Sequence, residues 1–257
     1  MGKVFIIGMN MEKNDYIFGI RAVIEAIEAG REIDKIFVKK DLNGDLANEL
    51  LARVKERGLV CHRVPVEKID RITRKNHQGV VAMLAAVSYC RLDDIVPQLY
   101  ENGKLPFIVL LAGVTDVRNF GAIARTCECA GVDAIVIPER GSVSVNADAV
   151  KTSAGALHYL TVCREKNLTS AVKFLKNTGY KVYGAAGDGS VCYTEPDYTE
   201  PTAIVLGSED EGISRDVLRL CDRLVSIPEF GNIKSLNVSV AAGVLMYEVV
   251  RQRSSNS

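Results

Sequence analysis

The sequence has no tryptophan, only three histidines and no net charge, with 32 lysines and arginines set against 32 aspartates and glutamates. Balanced charge removes the global field by which many nucleic-acid binders attract phosphate. The histidines, His62, His77 and His158, are too dispersed for a metal site. The seven cysteines include no CxxC pair, and Cys127 and Cys129 would point to different sides of a helix. Buried free thiols are therefore expected, and no metal. No apolar run approaches the roughly 20 residues of a membrane helix. Val4–Gly8 is too short for a signal-peptide core and lacks a convincing cleavage site. A cytoplasmic protein without a membrane partner is expected, its first ten residues a loose tail. No GxGxxG follows a strand, GAAGDG at Gly184 has the wrong spacing, and no GxxxxGK[ST] occurs. A Rossmann dinucleotide site and a P-loop nucleotide hydrolase are both excluded.

The chain of 257 residues is 47% apolar and 25% charged, which fits a soluble globular protein of one large or two modest domains. Up to Cys90 basic residues modestly exceed acidic ones, and beyond it the balance reverses. Lys68, Arg71, Arg74 and Lys75 form the densest basic patch, which a solvated helix face explains about as well as an RNA contact. Tyr16–Ala29 has helical spacing and stops at Gly30. Strands at Ile33–Val38, Leu59–Val64 and Val80–Val87 alternate with helices at Asp45–Arg57 and Val66–Thr73. Residues 1–90 thus read as a small α/β sandwich. Residues 91–106, with two prolines, Gly103 and several acidic residues, read as a linker containing a short helical piece.

Residues 107–257 change period. Phe107–Ala112 is a continuous apolar run, as in a parallel strand buried on both faces. A polar turn (Thr115–Phe120), a helix (Gly121–Ala130), a strand (Ala134–Ile137) and further helix–strand alternation follow, ending in a long helix after Asn237. A mostly parallel sheet with helices on both faces is expected, with a frayed polar tail from Arg251. Ligands of such sheets bind beyond the carboxyl ends of the strands. Three loops there are dense in glycine and polar residues: 115–125, 207–214 and 228–237. Glu209, Asp210 and Glu211 in the second would repel phosphate and suit a cationic or hydroxyl-bearing ligand. Backbone groups at Gly207, Ile227 and Leu236 are candidates for a purine edge, and Arg125, beside Asn119, for an anion. Asn237 or Ser235 would cap the last helix.

On these loops Asp116-x-x-Asn119-x-Gly121-Ala-Ile-Ala-Arg125-Thr, Ile204-Val-Leu-Gly207-Ser-Glu209-x-Glu-Gly212-Ile-Ser and Ile227-Pro228…Ser235-Leu-Asn237-Val-Ser239-Val-Ala241 resemble the three motifs of the SpoU–TrmH family, SPOUT-class RNA ribose methyltransferases. The likeness covers Phe107 to the C-terminus. Before it, Phe18-Gly19-Ile20-Arg21-Ala22-Val23 and His77-Gln78-Gly79-Val80-Val81-Ala82 resemble the family's L30e-like substrate-binding domain. One departure is Glu229-Phe230, where many relatives carry an apolar residue after Ile-Pro; a charge there would bear on cofactor affinity.

The resemblance implies an α/β fold whose C-terminal segment forms a deep trefoil knot, S-adenosylmethionine bound within it, and a homodimer with its site near the subunit interface. It implies methyl transfer to a ribose 2′-hydroxyl of RNA, ribosomal RNA before transfer RNA. It assigns Arg125, Asn119, Glu209, Ser235 and Asn237 to catalysis, and Leu206, Gly207, Gly212, Ile227 and Leu236 to the cofactor. A guanidinium with a pKa above about 12 is a reluctant base, so Arg125 reads better as a phosphate and ribose clamp. The structural alternatives are an ion pair with Glu128 for Arg125, an Asx-turn for Asn119, an exposed turn for Glu209 and helix capping for Ser235 and Asn237. The rival function is an RNA-binding or ribosome-assembly protein that keeps the fold without turnover. All five polar residues being intact favours the enzyme.

Overall fold

The computed structural model describes residues 16–103, 105–187, 190–232 and 235–255; the expectations for Val4–Gly8 and the first ten residues fall outside them. Its contacts divide the chain into two units, with the boundary between Ala85 and Ala86.

The front unit runs β1 (Tyr16–Phe18), α1 (Ile20–Glu28), β2 (Ile33–Lys39), α2 (Asp45–Glu56), β3 (Cys61–Val64), α3 (Val66–Asp70) and β4 (Val80–Leu84). Its sheet has the order β1-β4-β2-β3. β4 is antiparallel to both neighbours, while β3 is parallel to β2. Successive strand residues point to opposite faces. Val80 and Ala82 accordingly join Val23, Ile24, Leu50 and Val54 in one cluster, and Val81 joins Val64 and Ile69 in another. Tyr16–Phe18, expected at the start of a helix, is instead an edge strand paired with β4. Gly19, at φ 90°, separates the strand from α1, a backbone conformation that a side chain would strain.

The second unit comprises β5 (Tyr89–Cys90), α4 (Leu92–Glu101), β6 (Phe107–Ala112), α5 (Val117–Cys129), β7 (Ala134–Pro138), α6 (Ala147–Thr152), a 3₁₀ turn (Ala156–His158), β8 (Thr161–Glu165), α7 (Leu168–Asn177), β9 (Lys181–Ala185), β10 (Val191–Cys192), β11 (Thr202–Gly207), α8 (Arg215–Leu218), β12 (Arg223–Ser226) and α9 (Val238–Ser254). The sheet order is β10-β12-β9-β11-β6-β7-β8-β5, and its pairings are parallel. Both faces are covered. Phe107, Val109 and Leu111 pack with Phe120, Ile123 and Cys127 of α5 and Leu245 and Met246 of α9. Ile108 and Leu110 face Leu92 and Val96 of α4, Val172 and Leu175 of α7 and Val217 of α8. This is the α/β fold with a mostly parallel sheet that the apolar runs require.

Three expectations change here. The short helical piece expected within residues 91–106 is α4, but its Leu92 and Val96 are buried in the second unit's core rather than lying in a linker. The Leu92 N–H donates to Glu165 Oε1 at 2.9 Å, and Arg91 pairs with the same carboxylate. The tail from Arg251 continues α9 to Ser254 rather than fraying. Arg253 is its anchor: the guanidinium donates to the carbonyls of Tyr198, Leu105, Pro106 and Glu200 at 2.8–3.2 Å. All seven cysteines are free, but only Cys127 and Cys163 are buried, and Cys129 is exposed. Burial pushes the Cys163 thiol up to about 12 and the Cys127 thiol higher, so neither is a nucleophile at neutral pH.

Candidate active site

The carboxyl ends of β9, β11 and β12 open into one cleft of about 670 Å³. Ala185 ends β9 and Gly187 lies just beyond it, Leu206 and Gly207 end β11 with Ser208 after them, and Ser226 ends β12 ahead of Ile227, Pro228 and Glu229. Gly207 is required by close approach. A Cβ there would lie 2.4 Å from the carbonyl carbon of Gly212 and 2.6 Å from the Ile213 nitrogen. The loop after β11 therefore folds flat against its own strand, closed by an antiparallel bridge between Ser208 and Gly212. Gly212 turns it at φ 65°, in the left-handed region.

A polar junction adjoins the cleft. Asp116, rather than Asn119, caps α5: its Oδ1 accepts the N–H groups of Arg118 and Asn119 at 2.8 and 2.9 Å. The helix thus begins at Val117, inside the expected polar turn, and Asn119 sits in its first turn with its side chain released from capping. Asn119 Nδ2 donates to Glu209 Oε1 at 3.5 Å. Asn237 Nδ2 donates to Asn119 Oδ1 at 3.0 Å and also to Glu209 Oε1. Val238 N–H completes the set on Glu209 Oε1 at 3.2 Å. A carboxylate facing the first N–H groups of α9 is favoured by charge-assisted hydrogen bonding and by the helix dipole. Asn237 caps α9 as well, accepting from Ser239 N–H at 3.0 Å, so capping and junction hold together.

The five residues expected at the cofactor, Leu206, Gly207, Gly212, Ile227 and Leu236, all line the cleft, and so does Ser235. Asn119, Glu209 and Asn237, one from each motif, meet at the junction. Arg125 stands apart. It is exposed on α5, six residues beyond Asn119 and so roughly 120° away around the helix axis. It does not line the cleft. The ion pair with Glu128 is not formed, and among the described residues Arg125 has no hydrogen-bond or ion-pair partner. Sequence reasoning missed Ala185–Gly187, because GAAGDG reads as a failed dinucleotide motif; its place at a strand end is the usable signal.

The cleft suits an S-adenosyl group. Leu206, Ile213, Val225, Ile227, Leu236 and Leu245 provide apolar walls for a flat base, and peptide groups at the strand ends provide its polar edge. Among the described lining residues the charged side chains are Glu209, Glu211 and Glu229, which suit a sulfonium and an ammonium.

Residues 106–247 match the SpoU rRNA Methylase family, and residues 16–90 match the family described as RNA 2′-O ribose methyltransferase substrate binding. A Staphylococcus saprophyticus protein assigned to the TrmH family of tRNA/rRNA methyltransferases is 39% identical over 238 residues, 93% of this chain and 96% of its own. The AdoMet-bound rRNA methyltransferase of Sinorhizobium meliloti superposes with a TM-score of 0.58 at 27% identity, covering 92% of this chain and 86% of its own. The TrmH/SpoU tRNA modifying enzyme of A. aeolicus gives 0.54 at 29% identity, covering 64% of this chain and 85% of its own. Fold, cleft and likeness together define an RNA methyltransferase that uses S-adenosylmethionine. The chain belongs to the SpoU family, in its TrmH branch, with the RNA substrate-binding unit in front.

Proposed function

We propose that the protein methylates a ribose 2′-hydroxyl of ribosomal RNA, and does so as a homodimer. The observation that carries this reading is the convergence of three motifs on one carboxylate oxygen, Glu209 Oε1, beside the cleft. Support for the ribose comes from the front unit, whose family is described by that chemistry. Support for ribosomal RNA comes from coverage. The S. meliloti rRNA enzyme aligns over 92% of this chain, whereas the A. aeolicus tRNA enzyme aligns over 64%.

Bound in the cleft, S-adenosylmethionine supplies a methyl group on a sulfonium. Leu206, Gly207, Ile227 and Leu236 hold it through apolar surface and backbone groups, with Gly212 shaping the loop. Glu209 ties that loop to α5 and α9, and so fixes Asn119 and Asn237 where an incoming ribose would lie. Ser235 holds the third loop. The approach of the start of α9 to the 208–213 loop, through Asn237 and the Val238 N–H on Glu209 Oε1, is read as part of the family's trefoil knot. Arg125 acts as a phosphate and ribose clamp. Because it does not line the cleft of its own chain, it is assigned to the site of a second copy. An apolar stripe on α9 supports that pairing: Val240 and Tyr247, seven residues apart on one helix face, are 51% and 50% exposed.

The test is transfer of a labelled methyl group from S-adenosylmethionine to ribosomal and transfer RNA fractions, each from cells lacking this protein. The RNA is then digested to nucleosides. Label in a 2′-O-methylnucleoside of ribosomal RNA is expected. Label on a base, or on transfer RNA alone, would overturn the reading.

A further inference from the structure

The cleft has a one-sided charge that the methyl-transfer reading does not by itself require. Its charged lining residues, among those described, are all carboxylates: Glu209, Glu211 and Glu229. Glu209 is occupied by Asn119, Asn237 and the Val238 N–H. Glu229 is different. It is exposed, it lines the cleft, and no side chain or backbone group among the described residues partners its carboxylate. It directly follows Pro228, two residues beyond the end of β12, where the fixed φ of proline limits the swing of the chain. Glu211 lines the cleft and is exposed as well, but it sits on the loop after β11 beside the left-handed Gly212, and not beside Ile227 and Pro228 beyond β12.

Methyl donor and spent product differ by one methyl group and the charge it confers on sulfur. S-adenosylmethionine carries a sulfonium cation, whereas S-adenosylhomocysteine carries a neutral thioether, and the two share every other group. Shape and hydrogen bonding within the cleft therefore separate them poorly, while a carboxylate separates them by a full unit of charge. We infer that Glu229 is a specificity-determining residue that makes the cleft bind the sulfonium donor more tightly than the neutral thioether product. The favoured exchange of product for donor follows from this bias, at the same position where an apolar residue would treat both alike. The inference rests on the cleft being the cofactor site. The carboxylate is solvated, so its influence is modest: exposed pairs are worth about 0.2–1 kcal/mol, or roughly 1.5- to 5-fold in affinity, and salt screens them.

The experiment is calorimetric titration of the full-length protein and of Glu229→Gln with three ligands. These are S-adenosylmethionine, S-adenosylhomocysteine, and sinefungin, in which an amine-bearing carbon replaces the sulfonium and is cationic at neutral pH. Titrations are run at about 0.05 M and about 0.5 M salt, across which the screening length falls steeply. Glu229→Gln should weaken both cationic ligands roughly 2- to 5-fold and leave the thioether unchanged, with the gap closing at high salt. Glu229→Asp should restore part of the preference. Equal weakening of all three ligands, or no change in any, would overturn the assignment. Gly207→Ala tests the underlying site separately. If all three ligands bind it as they bind the parent protein, the cleft is not the cofactor site and the inference falls with it.

Discussion

The two units bury their sheets in opposite ways. In the second, Phe107–Leu111 are buried without a break, because helices cover both faces of a parallel sheet. The side chains are then committed to the core, and the chemistry is pushed to the strand ends, where loops meet. In the front unit the sheet is mixed and one face is thick, with Val23, Ile24, Ile36 and Leu50 among its buried residues. Among the described residues, the buried apolar cluster on the other face is limited to Val64, Ile69 and Val81. There the rings of Phe37 and Phe18 lie under Lys68 and Lys75, with each Nζ 5.2 and 5.7 Å from its ring centroid. A rigid, doubly covered sheet holds groups to catalytic tolerance; a thin face of rings and cations suits contact with bases and phosphates. The contrast teaches that positioning and capture are assigned to different kinds of sheet.

Arg125→Ala is the sharpest way to break that division. If the second unit owns the chemistry and Arg125 clamps only the RNA at the reacting ribose, turnover should fall by about 10²–10³, as for loss of one preorganised donor. Binding of S-adenosylmethionine, followed by calorimetry, should stay within about 2-fold. Joint loss of binding and turnover would place Arg125 with the cofactor instead.

Gly207→Ala comes next. The new methyl would meet the Gly212 and Ile213 backbone at 2.4–2.7 Å, so the loop carrying Glu209 must move. Overpacking of this kind costs about 1–3 kcal/mol, roughly 5- to 150-fold in cofactor affinity. In the front unit, Cβ of an alanine at Gly79 would meet the Lys39 side chain at 3.1 Å, and the backbone there has φ 78°. Gly79→Ala should therefore lower stability but leave cofactor affinity unchanged.

The core offers a matched pair. Leu110→Ala empties space between two covered layers and should cost about 3–5 kcal/mol in denaturant unfolding. Ile69→Ala, in the thin cluster where neighbours can collapse inward, should cost about 2–3 kcal/mol. Equal values would mean that the thin face is as tightly constrained as the thick one.

The buried runs are legible in the amino-acid sequence alone, because an apolar stretch such as Phe107–Ala112 has only one way to satisfy burial on both sides. The alternation beyond it is legible for a different reason: Leu168, Ala171, Val172 and Leu175 recur at helical spacing and are the buried face of α7. What escapes a sequence reading depends on partners distant along the chain. β5 is two residues long and exists through pairing with β8. The tail is helical because Arg253 finds carbonyls at positions 105, 106, 198 and 200. The segment 91–106 resembles a linker because prolines and acids mark solvent, yet Leu92 and Val96 give α4 an apolar face to bury. In the site, motif spacing brings out the cleft lining. The Asn119–Glu209–Asn237 junction needs the folded chain, since residues up to 118 positions apart meet there.

The smallest effect tests the front unit's part of the contrast. Lys68 and Lys75 stand on the thin face, near Arg71 and Arg74 in sequence. A lysine that touches a phosphate gives binding that is uniform across sequences and sensitive to salt, because each neutralised phosphate releases a counterion. The cation–ring contacts are worth only about 0.5–1 kcal/mol at an exposed site, so removing them leaves the fold intact. Lys68→Ala with Lys75→Ala should weaken RNA binding roughly 3- to 30-fold at low salt and flatten the log–log salt dependence by about one to two units. Turnover at saturating RNA should be unchanged, since neither residue belongs to the unit that holds the cleft. A fall in saturated turnover would show that capture and positioning are not separable, and that the front sheet helps orient the reacting ribose. An unchanged salt slope would leave the basic cluster as an ordinary solvated surface and move the RNA footprint to another face of the unit.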